Sequence, residues 1–89
     1  MLSEKQPPHP GEVLKEIYLE DMGITQSELA RRIGCTVQKV NEVVNGRRGV
    51  SADFALDLAE ALGTTAEMWL NLQQNYDLWN AIKKRDQAS

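Results

Sequence analysis

The stretch from Thr25 to Gly46, TQSELARRIGCTVQKVNEVVNG, restricts the fold of this 89-residue chain more than any other. Thr25 followed by Glu28 has the form of a capping box. The threonine oxygen can accept an orphan amide of the first helical turn, and the glutamate can reach back to the cap amide. Leu29, Ala30 and Ile33 then share one helical face, with Ala30 small where two helices must approach closely. Gly34 stands where that helix must stop, a position that favours left-handed backbone. Thr36 is placed to cap a second helix, Val40, Val43 and Val44 supply its buried side, and Asn45-Gly46 ends it. Val37, Gln38, Lys39, Asn41 and Glu42 are left for its outer side. The spacing predicts two short helices joined by a glycine-containing turn, a helix-turn-helix over residues 25–46.

A helical hairpin with no ligand would show the same spacing. The outward residues shift the balance toward DNA. Gln and Asn can form paired hydrogen bonds to adenine, Glu can accept from cytosine, and Lys can hold a phosphate or a guanine.

Charge argues in the other direction. Ten Lys and Arg against 13 Asp and Glu give a net charge of −3, whereas neutralising phosphates favours a basic surface. Clustering offers one resolution. Arg31, Arg32, Lys39, Arg47 and Arg48 lie within or beside the two-helix unit, while Glu12, Glu16, Glu20 and Asp21 precede it. A second, basic partner for the acids is the other.

The remaining chain divides into helices with clear punctuation. Residues 1–8 read as a flexible arm, and residues 9–84 as one domain with the helix-turn-helix inside it. Residues 85–89 read as a polar, frayed tail. A first helix is expected over residues 11–21, with Val13, Leu14, Ile17 and Tyr18 inward. After the loop Gly46-Arg47-Arg48-Gly49-Val50, Ser51 caps a fourth helix over residues 52–62. Phe54, Ala55, Leu58, Ala59 and Leu62 form its core stripe. A fifth helix opens at Thr64 or Thr65 and runs to about Lys84. Met68, Trp69 and Leu72 are expected to cover the core. Tyr76, Leu78, Trp79 and Ile82 extend past what a small core can occupy, which marks a contact surface, first of all with a second copy of the chain.

Enzymatic roles find little support. His9 is the only histidine, whereas a zinc site normally needs three or four donors. Flanked by prolines ahead of a helix, His9 reads as a capping or packing residue. Neither a phosphate-cradling glycine loop nor a serine elbow is present in the sequence. No catalytic residue, metal site or cofactor is expected. Cys35 has no partner for an intrachain disulfide, which fits a reducing compartment and a packing role. No segment approaches the roughly 18 apolar residues needed to span a membrane, and no signal peptide precedes the fold, so a cytoplasmic location is expected.

The chain also resembles the HigA-type antitoxins of the wider Xre, lambda-repressor-like group, over residues 8–81. The resemblance rests on HPGEVL at residues 9–14, TQSELARRIG at 25–34, VNEVVNGRRGVSADFALDLAEALGT at 40–64 and EMWLNLQQNYDLWNA at 67–81. The first and last of these, with the NGRRG loop, are its most specific landmarks. It implies an all-α, five-helix fold with an extended C-terminal helix. It further implies a homodimer that binds double-stranded operator DNA, represses its own operon and neutralises a basic RelE-like ribonuclease toxin.

By position, the resemblance assigns base reading to Val37, Gln38, Lys39, Asn41 and Glu42 at the third helix, with Gln38 foremost. It assigns phosphate contacts to Gln26, Thr36, Asn45, Arg47 and Arg48. Related repressors often carry a polar reader where Val37 stands, so Val37 either touches a thymine methyl or is partly buried. The arm at residues 1–10, the acidic first helix or the outer face of the fifth could each cover the toxin, with Glu12, Glu16 and Glu20 the candidates through charge complementarity. Two other readings stay open at this level: a stand-alone phage-type repressor, and an interaction module whose helix-turn-helix serves only as scaffold.

Overall fold

The computed structural model describes residues 5–88, and these form five helices with no strand. The part of the expected arm at residues 1–4 and the last tail residue, 89, lie outside the described residues.

Helix α1 comprises Pro10–Val13, a π-helical stretch Leu14–Leu19, and Glu20–Met22. His9 caps its start and Gly23, at φ 68°, ends it. The π-helical stretch corrects the expected inward face. With the Glu20 amide donating to the Lys15 carbonyl, the bonds run from i to i+5. Leu19 therefore shares the inner side with Leu14, and both are buried. Ile17 rotates outward and is 54% exposed.

Helices α2 (Gln26–Ile33) and α3 (Val37–Val44) form the predicted pair. Thr25 Oγ1 accepts the Glu28 amide at 3.0 Å, and Thr36 Oγ1 accepts the Lys39 amide at 3.1 Å. Gly34, between the helices, has φ 85°. The capping box differs from expectation in one respect. The Glu28 carboxylate meets Arg32 at 3.2 Å and Arg31 at 3.4 Å, so it is drawn along the helix toward two cations.

Helix α4 (Ala52–Leu62) starts from Ser51, whose Oγ accepts the Phe54 amide at 3.2 Å. Helix α5 (Ala66–Ala88) continues past the end expected near Lys84. Trp69 is wholly buried, and its indole Nε1 donates to Thr64 Oγ1 at 2.7 Å. That bond satisfies the one polar atom of an otherwise apolar core side chain.

Leu14, Leu29, Val40, Val43, Phe54, Leu58 and Trp69 make the centre of a single core fed by all five helices. The described residues extend 45 × 23 × 22 Å. The long dimension reflects α5, whose residues 81–87 are all exposed. No helix among the described residues is long and apolar enough to cross a membrane.

Candidate nucleic-acid interface

Burying Val40, Val43 and Val44 against the core fixes the rotation of α3. With about 100° per residue, Gln38, Asn41 and Asn45 are turned to solvent, and all three are exposed. Val37 flanks them as an apolar side chain at 45% exposure.

A chain of side-chain amides ties this surface to α2. Asn45 Nδ2 donates to the Asn41 carbonyl at 2.9 Å and to Asn41 Oδ1 at 3.1 Å. Asn41 Nδ2 in turn donates to Gln26 Oε1 at 3.1 Å. With its side-chain carbonyl accepting from Asn41, the Gln26 amide keeps its hydrogens to donate, the polarity that a phosphate oxygen or a base acceptor requires. Three residues expected at a nucleic acid, Gln26, Asn41 and Asn45, are thus brought into one pre-organised row.

Glu42 and Lys39 each have an intramolecular partner. Glu42 Oε1 accepts from both Nε (3.0 Å) and Nη2 (2.9 Å) of Arg48. Its carboxylate therefore holds an arginine of the following loop. The Lys39 ammonium lies 4.8 Å from the centroid of the Phe54 ring, on the flank of α3 toward α4. A cation over an aromatic face is stabilised there by the ring quadrupole, which draws Lys39 aside from the row of amides.

The loop after α3 is hung from the end of that helix. The amides of Arg47 and Arg48 donate to the Glu42 carbonyl at 2.8 and 3.2 Å, and Gly46, at φ 73°, donates to the Val43 carbonyl at 3.0 Å. Arg47 and Arg48 are both exposed.

Glu12, Glu16, Glu20 and Asp21 are all exposed along α1. Glu12 and Glu16 line one groove together with Gln6, His9, Asn45 and Tyr76, so the acidic helix borders the end of α3.

Among the residues expected at a contact between copies, Leu78 is 56% and Ile82 36% exposed. Trp79 is half-buried with the Lys83 ammonium 4.9 Å from its ring centroid. Tyr76 also has a partner within its own molecule. Its ring meets the His9 imidazole edge-on, with centroids 4.8 Å apart, so it closes the N-terminal segment against α5 within one molecule. Asn80 accepts from Gln6 Nε2 at 2.8 Å and fastens the same segment further along.

His9 both caps and packs, as its setting between prolines implies. Its Nδ1 accepts the Gly11 amide at 2.9 Å and it is largely buried. Burial lowers its pKa below the ordinary 6.5, opposed by the charges of Asp77 and Glu12.

Two residues at work here were not singled out in the sequence. Gly11 allows the backbone of α1 to touch that of α3. Gln73 accepts the Val50 amide at the far end of the loop that follows α3. The signal for Gln73 was a glutamine four positions after Trp69, on the apolar stripe of α5.

An amide row that links two short helices across a glycine turn, followed by a two-arginine loop, defines a helix-turn-helix protein of the repressor type. The helix-turn-helix family model matches residues 14–69. Among characterised relatives, virulence-associated protein I of Dichelobacter nodosus is 44% identical over 79% of this chain, which spans 65% of that protein's length. Antitoxin HigA-1 of Vibrio cholerae is 44% identical over 88% of this chain and 73% of its own. Of solved structures, the Pseudomonas aeruginosa antitoxin HigA with higBA promoter superposes with a TM-score of 0.87 at 36% identity. That match covers 92% of this chain and 89% of the other. The chain belongs to the HigA-type antitoxin family of Xre helix-turn-helix proteins.

Proposed function

We propose that this protein is an antitoxin and autorepressor. As a homodimer in the cytoplasm, it binds the operator of its own operon through α3 and neutralises a basic, RelE-like ribonuclease encoded alongside it. The observation that carries the DNA half is the row Gln26, Asn41 and Asn45, linked amide to amide beside an exposed Gln38. Side-chain amides held in place offer donors and acceptors at fixed positions, which is what direct readout in the major groove requires. The likeness to a HigA solved with its promoter supports the same role.

In this scheme Gln38 and Asn41 read base edges, and Val37 meets a thymine methyl. Thr36, Gln26, Asn45, Arg47 and Arg48 hold phosphates. Lys39 and Glu42 contribute less to base reading than their sequence positions imply, because one rests on Phe54 and the other on Arg48. Leu78, Trp79 and Ile82 carry the contact between copies, which sets two recognition helices about one turn of DNA apart. The exposed acids Glu12, Glu16 and Glu20 face the toxin.

Fluorescence anisotropy with the chain's own promoter and a scrambled duplex tests the DNA half. Gln38→Ala should narrow the difference between the two duplexes, and Arg48→Ala should weaken both alike. Equal binding of the wild type to the two duplexes would instead leave a protein-interaction module. For the toxin half, the neighbouring gene product is titrated with the protein; unchanged affinity after charge reversal at Glu16 and Glu20 would remove α1 from that contact.

A further inference from the structure

The loop that carries Arg47 and Arg48 has two anchors. Its first half hangs from the end of α3, through the Glu42 and Val43 carbonyls. Its second half is held by α5: the amide of the buried Val50 donates to Gln73 Oε1 at 2.8 Å. Gln73 is itself oriented, since its Nε2 donates to Asp77 Oδ1 at 3.0 Å one turn along the same helix. The fit around it is close. A β-carbon at Gly49 would stand 3.1–3.3 Å from the three outer atoms of the Gln73 amide. Arg48 lies between these anchors, its guanidinium steered by Glu42.

We propose that Gln73, on a helix remote from the helix-turn-helix, is a positioning residue for DNA binding that fixes the 47–50 loop so that Arg47 and Arg48 meet the phosphate backbone in register. The inference rests on the DNA-binding reading above and deepens it. Without Gln73 the first anchor remains, so the loop stays attached to α3 while its far half loses its only side-chain tether from α5 among the bonds described. An arginine on a loop free to move loses the benefit of being pre-placed and pays the cost of ordering on binding. A glutamine that merely satisfied a buried amide would affect folding stability alone.

A double-mutant cycle separates these roles. Operator affinity is measured by anisotropy over a range of salt concentrations for wild type, Gln73→Ala, Arg48→Ala and the double variant, with melting temperatures alongside. Gln73→Ala should lower affinity about tenfold and flatten the salt dependence, because fewer phosphates are neutralised. In the Arg48→Ala background the same change should cost less, about threefold, since only Arg47 is then left for it to place. Equal losses in the two backgrounds, or an affinity and salt slope unchanged by Gln73→Ala, would overturn the inference while leaving DNA binding intact. A wild type that does not prefer its operator would overturn the parent reading and this inference together. Should Gln73→Ala fold poorly, Gly49→Ala presses on the Gln73 amide from the loop side. The expected result is the same flattened salt dependence with a near-native melting temperature, and an unchanged slope would count against the proposal.

Discussion

Gly11 of α1 lies directly against the carbonyl group of Val43 in α3. A β-carbon there would fall inside the contact distance of the Val43 oxygen, 2.6 Å from its carbonyl carbon and 3.0 Å from the Cα of Val44. The atoms in the way belong to the backbone of the recognition helix, so no side-chain rotation relieves the clash. Gly11→Ala must push α1 and α3 apart. Overpacking a core usually costs about 1–3 kcal/mol, and a rigid backbone neighbour places this site at or above the upper end. Urea unfolding should show a loss of that size, and operator binding should fall with it; a near-native midpoint would show that the two helices can separate without cost.

His9 makes stability depend on pH. Its Nδ1 must be unprotonated to accept the Gly11 amide, and its buried ring packs on Tyr76. Burial is the main reason its folded-state pKa lies below 6.5, with Asp77 and Glu12 pulling the other way. As pH falls, the unfolded chain takes up the proton first. The contribution of His9 is therefore whole above pH 6.5 and is lost as pH drops through its folded value. Asparagine caps helices without titrating. Between pH 7 and pH 5, the wild-type melting temperature should consequently fall by more than that of His9→Asn. Parallel curves would remove His9 as the source.

Glu42 offers a test of what the ion pair with Arg48 does. The two side chains are 31% and 50% exposed, so the pair contributes little to folding, about 1 kcal/mol at most. Its larger effect is on charge. Glu42→Gln keeps an acceptor for Arg48 and removes a negative group from the surface expected to meet phosphate. Binding to random-sequence DNA should strengthen and its salt dependence should steepen. If Glu42 reads cytosine, the same variant would chiefly lose preference for the operator over random DNA.

The sequence made the helix-turn-helix legible because its signals are local. Thr25, Gly34 and Thr36 fix helix ends through bonds spanning three or four residues, and the structure places each of them as expected. The π-helical stretch in α1 was not legible, because Val13, Leu14, Ile17 and Tyr18 satisfy an α-helical period on their own. Only packing into the shared core selects Leu19 over Ile17. The contact of Tyr76 within its own molecule was not legible for a related reason. Its partner, His9, lies 67 residues away in the chain, and nothing near Tyr76 announces that contact. The ion pair of Glu42 with Arg48 likewise depends on the path of the loop, so a residue that looks free in a helical projection proves to be engaged.

The outer side of α5 yields the prediction that most sharply separates an interface from a surface. Leu70, Gln73, Gln74, Asp77, Leu78 and Ala81 line a shallow depression there, with Leu78 56% exposed. Ile82, one turn further along, is 36% exposed. Leu78 contacts too little of its own core to matter greatly for folding, so Leu78→Glu should leave the melting temperature of the isolated fold within a few degrees. If this side joins two copies, the variant should sediment as a monomer where the wild type sediments as a dimer. Operator affinity should then fall steeply, because a dimer engages two half-sites with one association event. Tyr76→Ala should behave in the opposite way, lowering stability through the lost His9 contact while leaving the dimer intact. A wild type that is monomeric at micromolar concentration, or a Leu78→Glu variant that remains dimeric, would place the contact between copies elsewhere on the molecule.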